Sequence, residues 1–118
     1  NKKQTALCMR IKSKIWIESE EGILLGEGRV KLLKMIEETG SLNKASKSLK
    51  ISYQKAWRMI DEMNTFPTHP IIKTQIGGSK GGGTSLTDYG KSLILIYDTI
   101  NKDCWKFLDE QLEKHHLC

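Results

Sequence analysis

The run Ser52-Tyr53-Gln54-Lys55-Ala56-Trp57-Arg58 holds the residue types and spacing most able to do chemistry. Ser52 is an N-cap type, and a helix from Tyr53 to about Asn64 turns Ala56, Ile60 and Met63 inward at i, i+4 and i+7. Tyr53, Gln54, Lys55, Trp57, Arg58 and Asp61 then face outward. Glutamine pairs with adenine, and arginine or lysine with guanine, on major-groove base edges; the N-terminal turn of such a helix lies closest to them. Trp57 follows Ala56 at the edge of the buried face. There it either packs against a neighbouring hairpin or meets a base.

Other constellations carry less. Gly77 and Gly82 have the spacing of a phosphate-binding P-loop, but Gly83-Thr84 follows, without the lysine that chemistry requires. A flexible loop tip is the expectation. His115, His116 and Cys118 are ligand types for a soft or borderline metal, yet they form a terminal polar tail and His69 is distant in sequence, so no metal site is expected. Glu37-Glu38 and Asp61-Glu62 are adjacent on helices and diverge. No nucleophile–base order presents itself, so neither an enzyme nor a cofactor is expected.

The elements that must position the Ser52 run can be read in turn. Met9, Ile11, Ile15 and Ile17 alternate with Arg10, Lys12, Lys14 and Glu18, which predicts a half-buried strand from Met9 to Glu18, with Trp16 as an outer contact. Ile23-Leu24-Leu25 can pair back across an acidic turn as a hairpin. After Gly28, the residues Val30, Leu33 and Ile36 form an apolar helical stripe ended by Gly40. Ser41 caps a shorter helix that faces Leu42, Ala45 and Leu49 inward and Asn43, Lys44, Ser46, Lys47 and Lys50 outward. The break to Ser52 is only two residues, so the two helices form a helix-turn-helix, with Ala45 at the crossing and Ile51 plugging the turn. Ile71–Ile76 and Thr84–Leu86 flank the glycine loop as a strand-turn-strand, placing Lys73, Ser79, Lys80 and Thr84 as a basic flap against phosphate or the minor groove.

Thr87 caps a last helix running to about Glu113. Leu93, Tyr97, Ile100, Cys104 and Phe107 recur on it at intervals of four and three, a heptad-like seam. With Ile15, Trp16 and Ile17, that seam is expected to form the interface of a homodimer. Trp105 and Phe107 are assigned to an interface or core.

The 118 residues suit one domain, with a 28–65 helical core between N-terminal strands at 9–26, a wing at 71–86 and a long helix at 87–114. Net charge is +5. Residues 1–19 carry five basic and one acidic side chain and residues 41–86 seven and two, so the excess sits in the N-terminal arm and the middle of the chain. Such segregation suggests an anionic partner. No apolar run reaches the ~18 residues of a membrane span, and no signal peptide is visible. Cys8, Cys104 and Cys118 are odd in number and far apart, with no C-x-x-C pair, which argues against a disulfide framework or a zinc ribbon and fits a reducing cytoplasm.

Gly40-Ser41-Leu42, Ser52-Tyr53-Gln54-Lys55-Ala56-Trp57 and the stretch from Gly77 through Leu86-Thr87-Asp88-Tyr89-Gly90 resemble the DNA-binding domain of ModE-type molybdate-responsive transcriptional regulators. The S-Y-x-x-A-W stretch and the glycine wing leading into L-T-x-Y-G are the distinctive parts, and the helix-turn-helix is similar more loosely to LysR-type regulators. The resemblance covers roughly residues 9–100. It implies a winged-helix dimer held by N-terminal strands and the long helix, with the third helix and wing on DNA. Full-length members of that family continue into a molybdate-binding module of small β-barrels. This chain ends after one helix, so a regulator lacking that module is the expectation, its effector open.

The sequence thus predicts a mainly α protein with a small β wing: a dimeric winged helix-turn-helix regulator of a prokaryotic cytoplasm binding double-stranded operator DNA. Its expected DNA-binding residues are Ser41, Lys44, Ser52, Tyr53, Gln54, Lys55, Trp57, Arg58, Lys73, Ser79, Lys80 and Thr84. The competing reading is a winged-helix interaction module that assembles proteins without specific DNA binding.

Overall fold

The computed structural model describes residues 8–65, 69–75 and 83–118. Among them, strands β1 (Ile17–Ser19) and β2 (Gly22–Leu25) are followed by helices α1 (Glu27–Thr39), α2 (Leu42–Ser48) and α3 (Tyr53–Thr65). Strands β3 (Ile72–Gln75) and β4 (Gly83–Leu86) then lead into the long helix α4 (Asp88–Lys114). This is a helix-rich, winged-helix-like fold with two small antiparallel hairpins.

Local chemistry sets the boundaries. Gly40 ends α1 in the left-handed region, at φ 70°, and its N–H donates to the Ile36 carbonyl. That geometry is free for glycine and strained for other residues. Ser41 caps α2, its side chain accepting from the Lys44 N–H at 3.1 Å. Ser52 caps α3 in the same way, from the Lys55 N–H at 3.0 Å. The tight turn between them puts Lys50 at φ 58°, and the Ile51 N–H closes it on the Ser46 carbonyl at 3.0 Å. Gly28 stands inside α1 rather than before it.

One core joins all these elements. Leu25, Leu32, Leu33, Ile36, Met63 and Ile71 are fully buried, and Ala45 and Ala56 are likewise closed off, as a close crossing of α2 and α3 requires. From α4, Leu93, Ile94 and Tyr97 enter this core, while Leu49 and Ile51 pack on its margin. Ser46, expected on the polar face of α2, is 2% exposed. Its hydroxyl is satisfied by the Asn43 carbonyl at 2.8 Å, which lets a small polar residue be buried at little cost.

Two sequence expectations change at the N-terminal segment. The strand foreseen from Met9 to Glu18 shrinks to Ile17–Ser19, although alternate burial persists upstream of it. A ladder needs a partner edge, and residues before Ile17 run beside α4, whose backbone groups are already bonded internally. The segment's backbone makes isolated bonds instead: Met9 N–H to the Leu117 carbonyl at 2.9 Å, and the Tyr97 hydroxyl to the Ile15 carbonyl at 3.0 Å. The second change is that Cys8 and Cys118 form a disulfide, leaving Cys104 free. A separation of 110 residues hides this pairing in the sequence; α4 returns the chain end to the N-terminal segment.

Candidate nucleic-acid interface

Helix α3 rests on the core through Ala56, Ile60 and Met63. The opposite choice of side chains is forced by the 3.6-residue period: Tyr53, Gln54, Lys55, Trp57, Arg58 and Asp61 are all exposed. Tyr53, Gln54, Trp57 and Arg58 together line a shallow groove along the helix. Trp57, at 53% exposure, does not join the core.

Beside this groove, Tyr53 also lines a cleft with Ser41, Asn43, Thr74, Gln75 and Thr84. The base of the wing therefore adjoins the start of α3. Its strands are fully in register, with Thr74 opposite Thr84 and Lys73 opposite Ser85. Two anchors hold it there. The Thr84 N–H donates to the Gly40 carbonyl at 3.1 Å. The Asn64 side chain accepts from the N–H groups of Ile71 (2.8 Å) and Ile72 (3.2 Å) and returns a bond to the Ile72 carbonyl. Neither anchor was signalled by the sequence, because each joins residues through the tertiary fold. Ser79 and Lys80 lie outside the described residues.

The electrostatics divide the surface. Every ion pair among the described residues takes its cation from α1: Arg29 with Glu62, Lys31 with Glu27, and Lys34 with Asp98. Among the same residues Lys44, Lys47, Lys55, Arg58 and Lys73 are exposed and take part in no ion pair. Cations left without counter-charges on α2, α3 and β3 are available to phosphate. Among the described residues no group of three or more His, Cys, Asp or Glu side chains gathers for a metal, the His115–Cys118 tail included.

The seam expected on α4 divides in two. Leu93 and Tyr97 turn into the domain's own core, and Cys104 is half-buried with its sulfur 3.8 Å from the Ser13 hydroxyl. Ile100 and Phe107 are exposed, as are Leu95 and Ile96 beside them, and Trp105 is partly so. On the N-terminal segment Ile15 and Ile17 pack against the core, while Trp16 points outward, its indole N–H donating to Glu18 at 2.8 Å. Leu95 was not singled out from the sequence, since the apolar run at 93–97 gives no periodicity by which to separate its faces.

Comparison with known proteins places the chain among relatives of one kind. A molybdenum transport protein ModE of Azotobacter vinelandii is 35% identical over 105 residues, 89% of this chain. The chain is a homologue of the ModE-type transcriptional regulators. A ModE-type regulator of Haemophilus influenzae is 37% identical over 73% of this chain, and a DNA-binding dual regulator ModE of Escherichia coli is 43% identical over 61% of it. The matches span only 39%, 34% and 28% of those ModE proteins' own lengths. No protein-family model matches the chain. No helix among the described residues is long and apolar enough to cross a membrane.

Proposed function

We propose that this chain is the DNA-binding part of a bacterial transcriptional regulator. In this reading it acts as a homodimer and serves molybdenum-related genes. The observation that carries the reading is the exposed face of α3, which presents Gln54, Lys55 and Arg58, while α2 and β3 carry further exposed cations that pair with no carboxylate among the described residues. Gln54 and Arg58 read base edges, Lys44, Lys55 and Lys73 meet phosphates, and Ser41 and Thr84 border the groove wall. The names of the ModE relatives support the molybdenum connection, which belongs to proteins more than twice the length matched.

The exposed apolar residues of α4 supply the second copy's seat. Ile96, Ile100 and Phe107 share one exposed face of a helix whose other side is buried at Leu93, Ile94 and Tyr97 and again at Leu112. Apolar patches of this kind mark partners, and a two-fold axis there sets two α3 helices against successive major grooves.

The test is a salt titration of duplex binding. Affinity should fall with log salt by about 0.9 per phosphate neutralised. Gln54→Ala and Arg58→Ala should each reduce the preference for operator over random duplex by ~1–3 kcal/mol. Absence of duplex retention at low salt overturns the reading.

A further inference from the structure

Tyr53 and Trp57 are one helical turn apart on α3 and are 51% and 53% exposed, and neither joins the core. Two aromatic rings left in water on one face are unfavourable unless a partner covers them. They share a single groove with Gln54 and Arg58, so the wall combines flat apolar surface with hydrogen-bonding ends. Major-groove base edges offer such a wall one apolar feature, the thymine 5-methyl group. On the partner base of the same pair, adenine N6 and N7 suit a glutamine amide.

We propose that the Tyr53–Trp57 pair recognises thymine methyl groups. Each half-site then contains an A·T pair read from both sides, Gln54 on adenine and the Trp57 ring on thymine. The inference rests on the reading of α3 as the helix that enters DNA. It extends that reading from a generic groove contact to a definite base and a definite atom. Removing one methyl from such a contact should weaken binding about four-fold, the equivalent of ~0.8 kcal/mol per buried carbon.

The experiment enriches duplexes from a randomised pool with the unmodified chain, then replaces each thymine of the enriched site in turn with deoxyuridine. Uracil pairs as thymine does and lacks only the methyl. At one or two positions per half-site, uracil should weaken binding about four-fold. With Trp57→Ala, sensitivity at those positions should vanish while other positions are unchanged. Trp57→Phe, which keeps an apolar ring, should retain part of the effect and serves if Trp57→Ala does not fold. Selective binding with no uracil effect at any position overturns the methyl contact and leaves the regulator reading intact. Sensitivity that survives in both Trp57→Ala and Tyr53→Ala overturns its assignment to this pair. No enrichment of any duplex overturns both readings.

Discussion

The Arg29 guanidinium donates to the Glu62 carboxylate at 2.7 Å and, through its other amino group, to the Ile23 carbonyl. One side chain of α1 thereby ties the β1–β2 hairpin to the C-terminal half of α3. Glu62 is half exposed, so the ion pair by itself contributes well under ~1 kcal/mol. Arg29→Ala should cost more, ~1–2 kcal/mol, because it also strips the Ile23 carbonyl of its donor. Glu62→Gln should cost less than that. Urea denaturation of the two variants checks the order; equal losses would mean that the hairpin contact contributes nothing.

Two glycines inside helices should respond oppositely to alanine. Gly90 lies against Ile71, and a Cβ there would collide with the Ile71 carbonyl oxygen, which also accepts the Thr87 N–H. Gly90→Ala should destabilise by ~1–3 kcal/mol. Gly28 is exposed in α1 with open space around its Cβ position, so Gly28→Ala should stabilise by ~0.5–1 kcal/mol. Thermal melts of both variants decide it.

Tyr97 should make the fold sensitive to alkali. Burial, reinforced by the Glu27 and Asp98 carboxylates and opposed by Lys34, raises its pKa above the ordinary tyrosine value. The folded state therefore holds the phenolic proton more tightly than the unfolded chain does. That stabilisation is full below the unfolded value of about 10 and is lost as pH rises through the folded one. Tyr97→Phe removes the bond to Ile15, costing ~0.5–1.5 kcal/mol at neutral pH, and should flatten the alkaline limb of the stability profile. An unchanged alkaline limb in the variant would assign that limb to other groups.

Thiol titration in denaturant should find one reactive cysteine, Cys104, in the oxidised chain and three after reduction. The Cys8–Cys118 bond closes a loop of 110 residues. By chain entropy, constraining so long a loop in the unfolded chain stabilises by up to ~5 kcal/mol. Reduction, or Cys8→Ser, should lower the melting temperature accordingly. Titration of three thiols without reductant would remove the clasp.

The sequence by itself determined the helices and the exposed face of α3. Ser41, Ser52 and Thr87 are caps in the structure as their residue types require, Gly40 ends α1, and the i, i+4, i+7 spacing of Ala56, Ile60 and Met63 orients α3. These features are local: caps, turns and helical period act within a few residues, so composition and spacing suffice to read them. Tertiary structure decided what depends on distant neighbours. It shortened the first strand because, among the described residues, no strand edge lies beside Met9–Trp16, and it buried Ser46 where α2 meets the rest of the fold. On α4 it separated Leu93 and Tyr97, which complete the core, from Ile96, Ile100 and Phe107, which remain exposed. A heptad spacing says that residues share a stripe; only the width of the core beneath it says which of them are covered. The Cys8–Cys118, Arg29–Glu62 and Asn64–Ile71 contacts belong to the same class, since pairing across many residues is set by the path of the chain and leaves no periodic trace.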